Sequence, residues 1–197
     1  MKTLAAVLLA LTTSLTAVAQ DKPMSNTFKI ENSSSVKWVG KKITGQHAGN
    51  IGIRGGNLTF TGDVLTAGVV NVDMSSITVT DIPASDDMNG KLVGHLKSPD
   101  FFDVQKYPDA KLEITSSEKT KKGLKVKGNL TFIGKTNPIE FDAVVTKSAK
   151  TTNLKSDVMI DRTIWGLKYG SGSFFKGLGD KAINNEFLLS VDLNAKK

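Results

Sequence analysis

Residues Leu124–Phe132, LKVKGNLTF, decide the fold: Leu124, Val126, Gly128, Leu130 and Phe132 fall on one side, Lys125, Lys127, Asn129 and Thr131 on the other. A period of two with one dry and one wet face is the signature of a half-buried antiparallel strand. On its far side Thr136-Asn137-Pro138 reads as a turn, and Phe141, Ala143 and Val145 begin a partner strand. On its near side Lys111–Ser116 alternates through Leu112 and Ile114. Working outward, Thr27–Ile30 and Val36–Lys41 read as short strands, and Ile51–Phe60 and Val64–Met74 as a hairpin turning at Thr61-Gly62-Asp63. Leu154–Asp161 and the run through Phe187, Leu189, Val191 and Leu193 complete the set. The glycine-flanked Gly45-Gln46-His47-Ala48-Gly49 reads as a corner where the sheet bends.

One stretch breaks the pattern. In Gly90–Pro108, GKLVGHLKSPDFFDVQKYP, Leu92, Val93 and Leu96 share a helical face, and Ser98-Pro99-Asp100 stops the helix just before Phe101-Phe102. The expected fold is therefore all-β with a small helical insertion. Its strands, about eight in number, close into an antiparallel barrel that leaves no exposed edge. At that strand number the interior is either filled by side chains or just wide enough for one elongated ligand. The helix and Phe pair then serve as a lid over an apolar interior, or as a simple cap on the sheet.

The chain opens with Lys2, an apolar run from Leu4 to Leu11, and Ala17-Val18-Ala19, the pattern of a cleaved secretory signal. Residues 1–19 are assigned to it and 20–197 to a single domain, placing the mature protein in the periplasm or outside the cell. The chain has no cysteine, which excludes thiol catalysis and Cys-ligated metals, and its two histidines cannot make a three-histidine site. No metal or cofactor is expected. The formal charge of +7 invites a nucleic-acid reading, but no aromatics interleave with the lysine clusters to stack bases. A transient contact with an anionic membrane surface uses the charge more economically, and a homodimer is also left open.

Several motifs, taken together, are specific. Val36-Lys37-Trp38 and the Gly45-x-His47-x-Gly49 corner are followed by Val72-Asp73-Met74-Ser75-Ser76-Ile77 and by His95-Leu96-Lys97-Ser98-Pro99-Asp100-Phe101-Phe102. Tyr107-Pro108, Gly128-Asn129-Leu130-Thr131, Asp161-Arg162-Thr163-x-Trp165-Gly166 and Tyr169-Gly170-Ser171-Gly172 come next, in order across nearly the whole mature chain. In these the sequence resembles the YceI-like family of exported bacterial lipid-binding proteins. The resemblance implies a lipocalin-like barrel with a long apolar channel for a polyisoprenoid or similar amphiphile. It implies no settled enzymatic activity.

The candidate ligand-contacting residues follow. Trp38, Phe60, Val72, Leu112, Ile114, Leu130, Phe132, Phe141 and Phe187 are expected to point inward, either lining a channel or filling a solid core. Leu92, Leu96, Phe101 and Phe102 come from the lid, and Trp165 from the loop after the eighth run. His47 and Arg162 are candidates for a polar head group, with backbone-bonded structural roles as the alternative. His95 reads as structural or as exposed on the helix. Asp73 is expected to pair with Arg162 or within its own loop, because a charge set into a strand needs a partner.

Three functions compete at this point. A carrier or store for a long-chain isoprenoid, of polyprenyl or quinone type, leads. A lipid-modifying enzyme using His47, Asp73 and Arg162 is the alternative, although no G-x-S-x-G nucleophile elbow is present. A solid barrel that docks through a basic face is the third.

Overall fold

The computed structural model describes residues 24–197, so the candidate signal sequence lies outside the described residues. Nine strands, β1 (Ser25–Ile30), β2 (Ser35–Lys42), β3 (Gly45–Thr61), β4 (Val64–Asp73), β5 (Asp109–Thr120), β6 (Gly123–Phe132), β7 (Lys135–Lys147), β8 (Thr151–Asp161) and β9 (Ile183–Lys196), form one antiparallel sheet. Helix α1 spans Asp87–Lys97. Each strand from β2 to β9 pairs with the next, and β9 returns to pair with β2 and β1, so the sheet closes into a barrel.

The barrel has eight positions because β1 and β2 share one. β1 pairs with the second half of β3 and β2 with the first half. At the break between them Ser34 stands in for a ladder pair: its Oγ donates to Asn194 O (3.1 Å) and accepts from Asn194 N–H (2.9 Å).

The two ends differ. At one, the links are the short turns at residues 62–63, 121–122 and 148–150. There Phe28, Ile30, Leu58, Phe60, Leu65, Val126 and Leu154 pack into a closed floor. At the other end lie the long connections, residues 74–108 with α1 and residues 162–182, which fold over the opening. Asp86 caps α1, its carboxylate accepting from Met88 N–H at 2.8 Å. The helix starts three residues before the expected stretch and stops at Ser98 as expected.

Two sequence expectations are corrected. Gly45–Gly49 is no corner but the start of β3; the chain after β4 crosses directly over it. A Cβ at Gly49 would lie 1.8 Å from Thr78 O, so only glycine permits that approach. The bend in β3 falls instead at the bulge of Gly55 and Gly56, which adopt φ of 127° and 145°. Similarly, the β6–β7 turn is Ile133-Gly134, at φ 42° and 73°, not Thr136-Asn137-Pro138. Pro138 lies within β7, opposite Asn129, in a stretch with no β8 partner, where a strand tolerates a missing N–H.

Candidate functional site

The barrel is hollow. Between the closed floor and α1 lies an inner chamber of about 110 Å³ whose lining side chains are all apolar. Its walls come from residues of all eight strands from β2 to β9, mostly at alternate positions, which is what period-two patterning delivers once a sheet is rolled up. Above it is a vestibule of about 230 Å³, bounded by β2, β3, α1 and the start of β9. The two spaces share Ile51, Phe102 and Phe187, which form the partition. Phe102 is 8% exposed and packs edge-on to Phe101, with ring centroids 5.0 Å apart.

The vestibule carries the polar groups. His47 Nδ1 lies 2.8 Å from Asp81 Oδ2, while Asp81 Oδ1 accepts from Ala48 N–H at 2.9 Å. Burial pushes the Asp81 carboxyl up, but the Ala48 N–H and the His47 ring outweigh it and hold the group below its ordinary value. Arg162 follows β8 in the turn Arg162–Trp165 and is 2% exposed. Its guanidinium donates to Asn184 O (3.0 Å), Leu167 O (2.8 Å) and Ile183 O (3.1 Å). No carboxylate pairs with it among the described residues, and burial pulls its pKa below the usual arginine value against a smaller opposing effect of Asp161. Three of its five N–H groups are thus spent on carbonyls.

The candidate residues divide by depth. Val72, Leu112, Ile114, Leu130, Phe132 and Phe141 border the inner chamber; Phe102 and Phe187 border both spaces. Trp38, Leu92, Leu96 and Phe101, with His47 and Arg162, border the vestibule. Phe60 and Trp165 border neither space. Phe60 is wholly buried in the floor against Phe28, and Trp165 packs behind Phe132 with Nε1–H donating to Leu130 O at 3.0 Å. His95 packs edge-on to Tyr169, ring centroids 4.7 Å apart, at the vestibule edge.

Of the two partners expected for Asp73, Arg162 is not one, but its own loop is in part: Asp73 Oδ1 accepts from Ser75 N–H at 3.0 Å. Asp73 Oδ1 is 2.9 Å from Arg54 Nη2, and Asp73 borders neither space. His47, Asp73 and Arg162 are therefore not gathered at one place, so that acid–base set is not assembled. Sequence reasoning missed Val158 and Ile160 of β8 and Leu189, Val191 and Leu193 of β9 as chamber walls, although the same alternation marks them.

A closed antiparallel barrel with an apolar interior, reached from one end beneath a helix, is a lipocalin-like barrel. The chain belongs to the YceI-like domain family, which it matches over residues 27–195. It is 34% identical over 156 residues to a UPF0312 protein of Pseudomonas putida, covering 76% of this chain and 75% of that one. Two solved structures share the fold. BcnA of Burkholderia cenocepacia superimposes with a TM-score of 0.65 at 18% identity, covering 84% of this chain and 99% of that one. A polyisoprenoid binding domain from Saccharophagus degradans gives 0.61 at 12%, covering 86% and 97%.

Proposed function

We propose that the protein is an exported carrier or store for a long-chain isoprenoid, of polyprenyl or isoprenoid-quinone type, held with its tail in the inner chamber and its head in the vestibule. The observation that carries this reading is the chamber itself, an apolar space that no polar side chain of the described residues enters. Burial of each CH₂ contributes about 0.8 kcal/mol, against an association cost of roughly 4–15 kcal/mol. A tail of about a dozen carbons or more overcomes that cost, whereas a small metabolite does not. The chamber as it stands holds only part of such a tail, so loading requires the Phe102 ring to move and join it to the vestibule. The polyisoprenoid-binding name of the Saccharophagus degradans domain agrees with this ligand class.

Arg162 is the head-group residue in this reading. A buried guanidinium with no carboxylate is short of negative charge, and its planar fork suits a phosphate or a quinone oxygen. Binding, rather than catalysis, suits a site whose acid–base set is not assembled. Export rests on Lys2, the Leu4–Leu11 run and Ala17-Val18-Ala19. The test is solvent extraction of protein purified from its native host, combined with titration of the emptied protein with an isoprenoid quinone. A co-purifying isoprenoid and saturable quinone binding are expected. No extracted lipid and no quinone binding overturn the reading.

A further inference from the structure

Of the nine large apolar side chains left in solvent among the described residues, four lie on two neighbouring segments. Tyr169, Phe174 and Phe175 are 45%, 47% and 50% exposed, and Ile43 is 68% exposed. Tyr169, Phe174 and Phe175 belong to the loop after Trp165; Ile43 is in the β2–β3 turn. Ile183 brings the two segments side by side. It pairs with Lys42 across the ladder, and its N–H donates to Gly170 O at 2.8 Å. Both segments stand on the rim of the vestibule, where Tyr169 packs on His95.

The same rim holds Lys41, Lys42, Lys168, Lys176 and Lys181, all exposed. None of them lies within ion-pair distance of a carboxylate among the described residues, although Asp180 and Glu186 are near in sequence. Elsewhere seven lysines are paired, Lys111 with Glu113, Lys119 and Lys147 with Asp63, Lys125 with Glu140, Lys127 with Glu118, Lys155 with Asp192 and Lys196 with Glu31, while others, Lys121 and Lys122 at the closed end among them, are not; what sets the rim apart is unpaired lysines lying beside exposed aromatics. Lys168 instead lies over the Phe174 ring, 4.5 Å from its centroid. Exposed aromatics beside unneutralised lysines offer an apolar wedge and a counter-charge to a layer of anionic head groups.

We propose that this rim docks on a bilayer containing anionic phospholipid, setting the vestibule mouth against the membrane. The docking deepens the carrier reading by saying where a ligand enters and leaves, yet it can be tested apart from it. Phe174 and Phe175 enter the interfacial region, and the five lysines face the lipid phosphates. A lipid passing between bilayer and vestibule then crosses little water.

The test is co-sedimentation with vesicles of phosphatidylcholine alone or with about one third phosphatidylglycerol. The wild-type chain, F174S/F175S, K168E/K176E and, at the closed end, K121E/K122E are compared, with thermal melting as a check on folding. The wild-type protein should sediment with the anionic vesicles, and less so in high salt. Both rim variants should lose at least about tenfold in partitioning, while K121E/K122E, with the same change of charge, sediments as wild type. Failure of the wild-type protein to sediment overturns the docking and leaves the rim to a protein partner. Equal loss in K121E/K122E overturns it too, as attraction without orientation. Quinone titration in vesicle-free solution separates the two readings. Vesicle binding without quinone binding removes the carrier and keeps the docking; quinone binding without vesicle binding does the reverse.

Discussion

The ring of Phe102 lies 5.5 Å from that of Phe132, tilted by 57°, so the partition between chamber and vestibule leans on a side chain of the barrel wall itself. Phe102 is held from behind as well, its N–H donating to Leu96 O at 3.0 Å. The lid, the partition and β6 are therefore one packed unit.

Phe102→Ala removes the partition. Truncating a buried Phe costs about 3–5 kcal/mol; with one face of this ring already bordering a cavity, the lower end is expected in urea unfolding. Release of a bound fluorescent isoprenoid analogue should accelerate about tenfold or more, because the ring no longer has to move aside. An unchanged release rate would show that Phe102 does not gate the chamber.

Filling the chamber makes the opposite test. Val72→Phe adds volume where the wall is only half packed, so the overpacking penalty should stay near the low end of about 1–3 kcal/mol. Quinone affinity should fall about tenfold while the melting transition stays cooperative. In a barrel with no room inside, the same change would unfold the protein before it altered any binding.

Much of this architecture was legible in the residues. The alternation from Leu124 to Phe132 is visible because one face of β6 is dry and the other carries Lys125 and Lys127, which reach Glu140 and Glu118 in solvent. Depth along the barrel axis was not legible. Phe60 and Phe132 both lie on dry faces of strands, yet one is floor and the other chamber wall; the period of two says which way a side chain points, not at what height. The β6–β7 turn was missed because Ile133, a β-branched residue, takes a positive φ that turn chemistry assigns to Asn or Gly. The partners of Arg162 were hidden for a different reason: backbone carbonyls leave no mark in a sequence, whereas a carboxylate such as Asp73 does.

Arg162 ties the long loop to the barrel, and its removal should loosen that loop. Arg162→Met leaves the carbonyls of Leu167, Ile183 and Asn184 without their donor. Orphaned buried acceptors cost about 1–3 kcal/mol each; with water admitted at the mouth, a total of about 3 kcal/mol is expected. Hydrogen exchange should quicken across residues 166–182 and stay unchanged at the closed floor. Arg162→Lys, a single point charge on a flexible stem, should recover only part of the protection.

Asp81 gives the mouth a pH dependence whose sign follows from its neighbours. Its carboxyl is held below its ordinary value, so the unfolded chain takes up the proton first as pH falls. The stabilisation is present in full above the unfolded value of about 3.9 and is lost as pH drops through the lower folded value. For a pair this exposed it amounts to about 1 kcal/mol or less. Asp81→Asn should therefore lower the urea midpoint at pH 6, and the gap to wild type should narrow as pH falls below the ordinary carboxylate range. A gap that persists at low pH would show that the carboxylate's charge is not what the wild-type side chain contributes.

The wall of the barrel is weakest between β7 and β8. Their ladder runs only from Val144 to Lys147 against Thr152–Lys155, whereas β8 and β9 pair from Thr151 to Asp161. Just beyond the last rung Ser156 Oγ donates to Asp142 O at 2.6 Å, a side chain doing what the backbone no longer does. Ile139 and Phe141 border the chamber beside this seam. Ser156→Ala removes the bridge and should cost about 1 kcal/mol. Because β7 keeps its full pairing with β6, the fold should persist while exchange of the amides at residues 139–143 rises selectively. If protection at Ile139 and Phe141 does not change, the seam is held by apolar packing of those two side chains rather than by the serine.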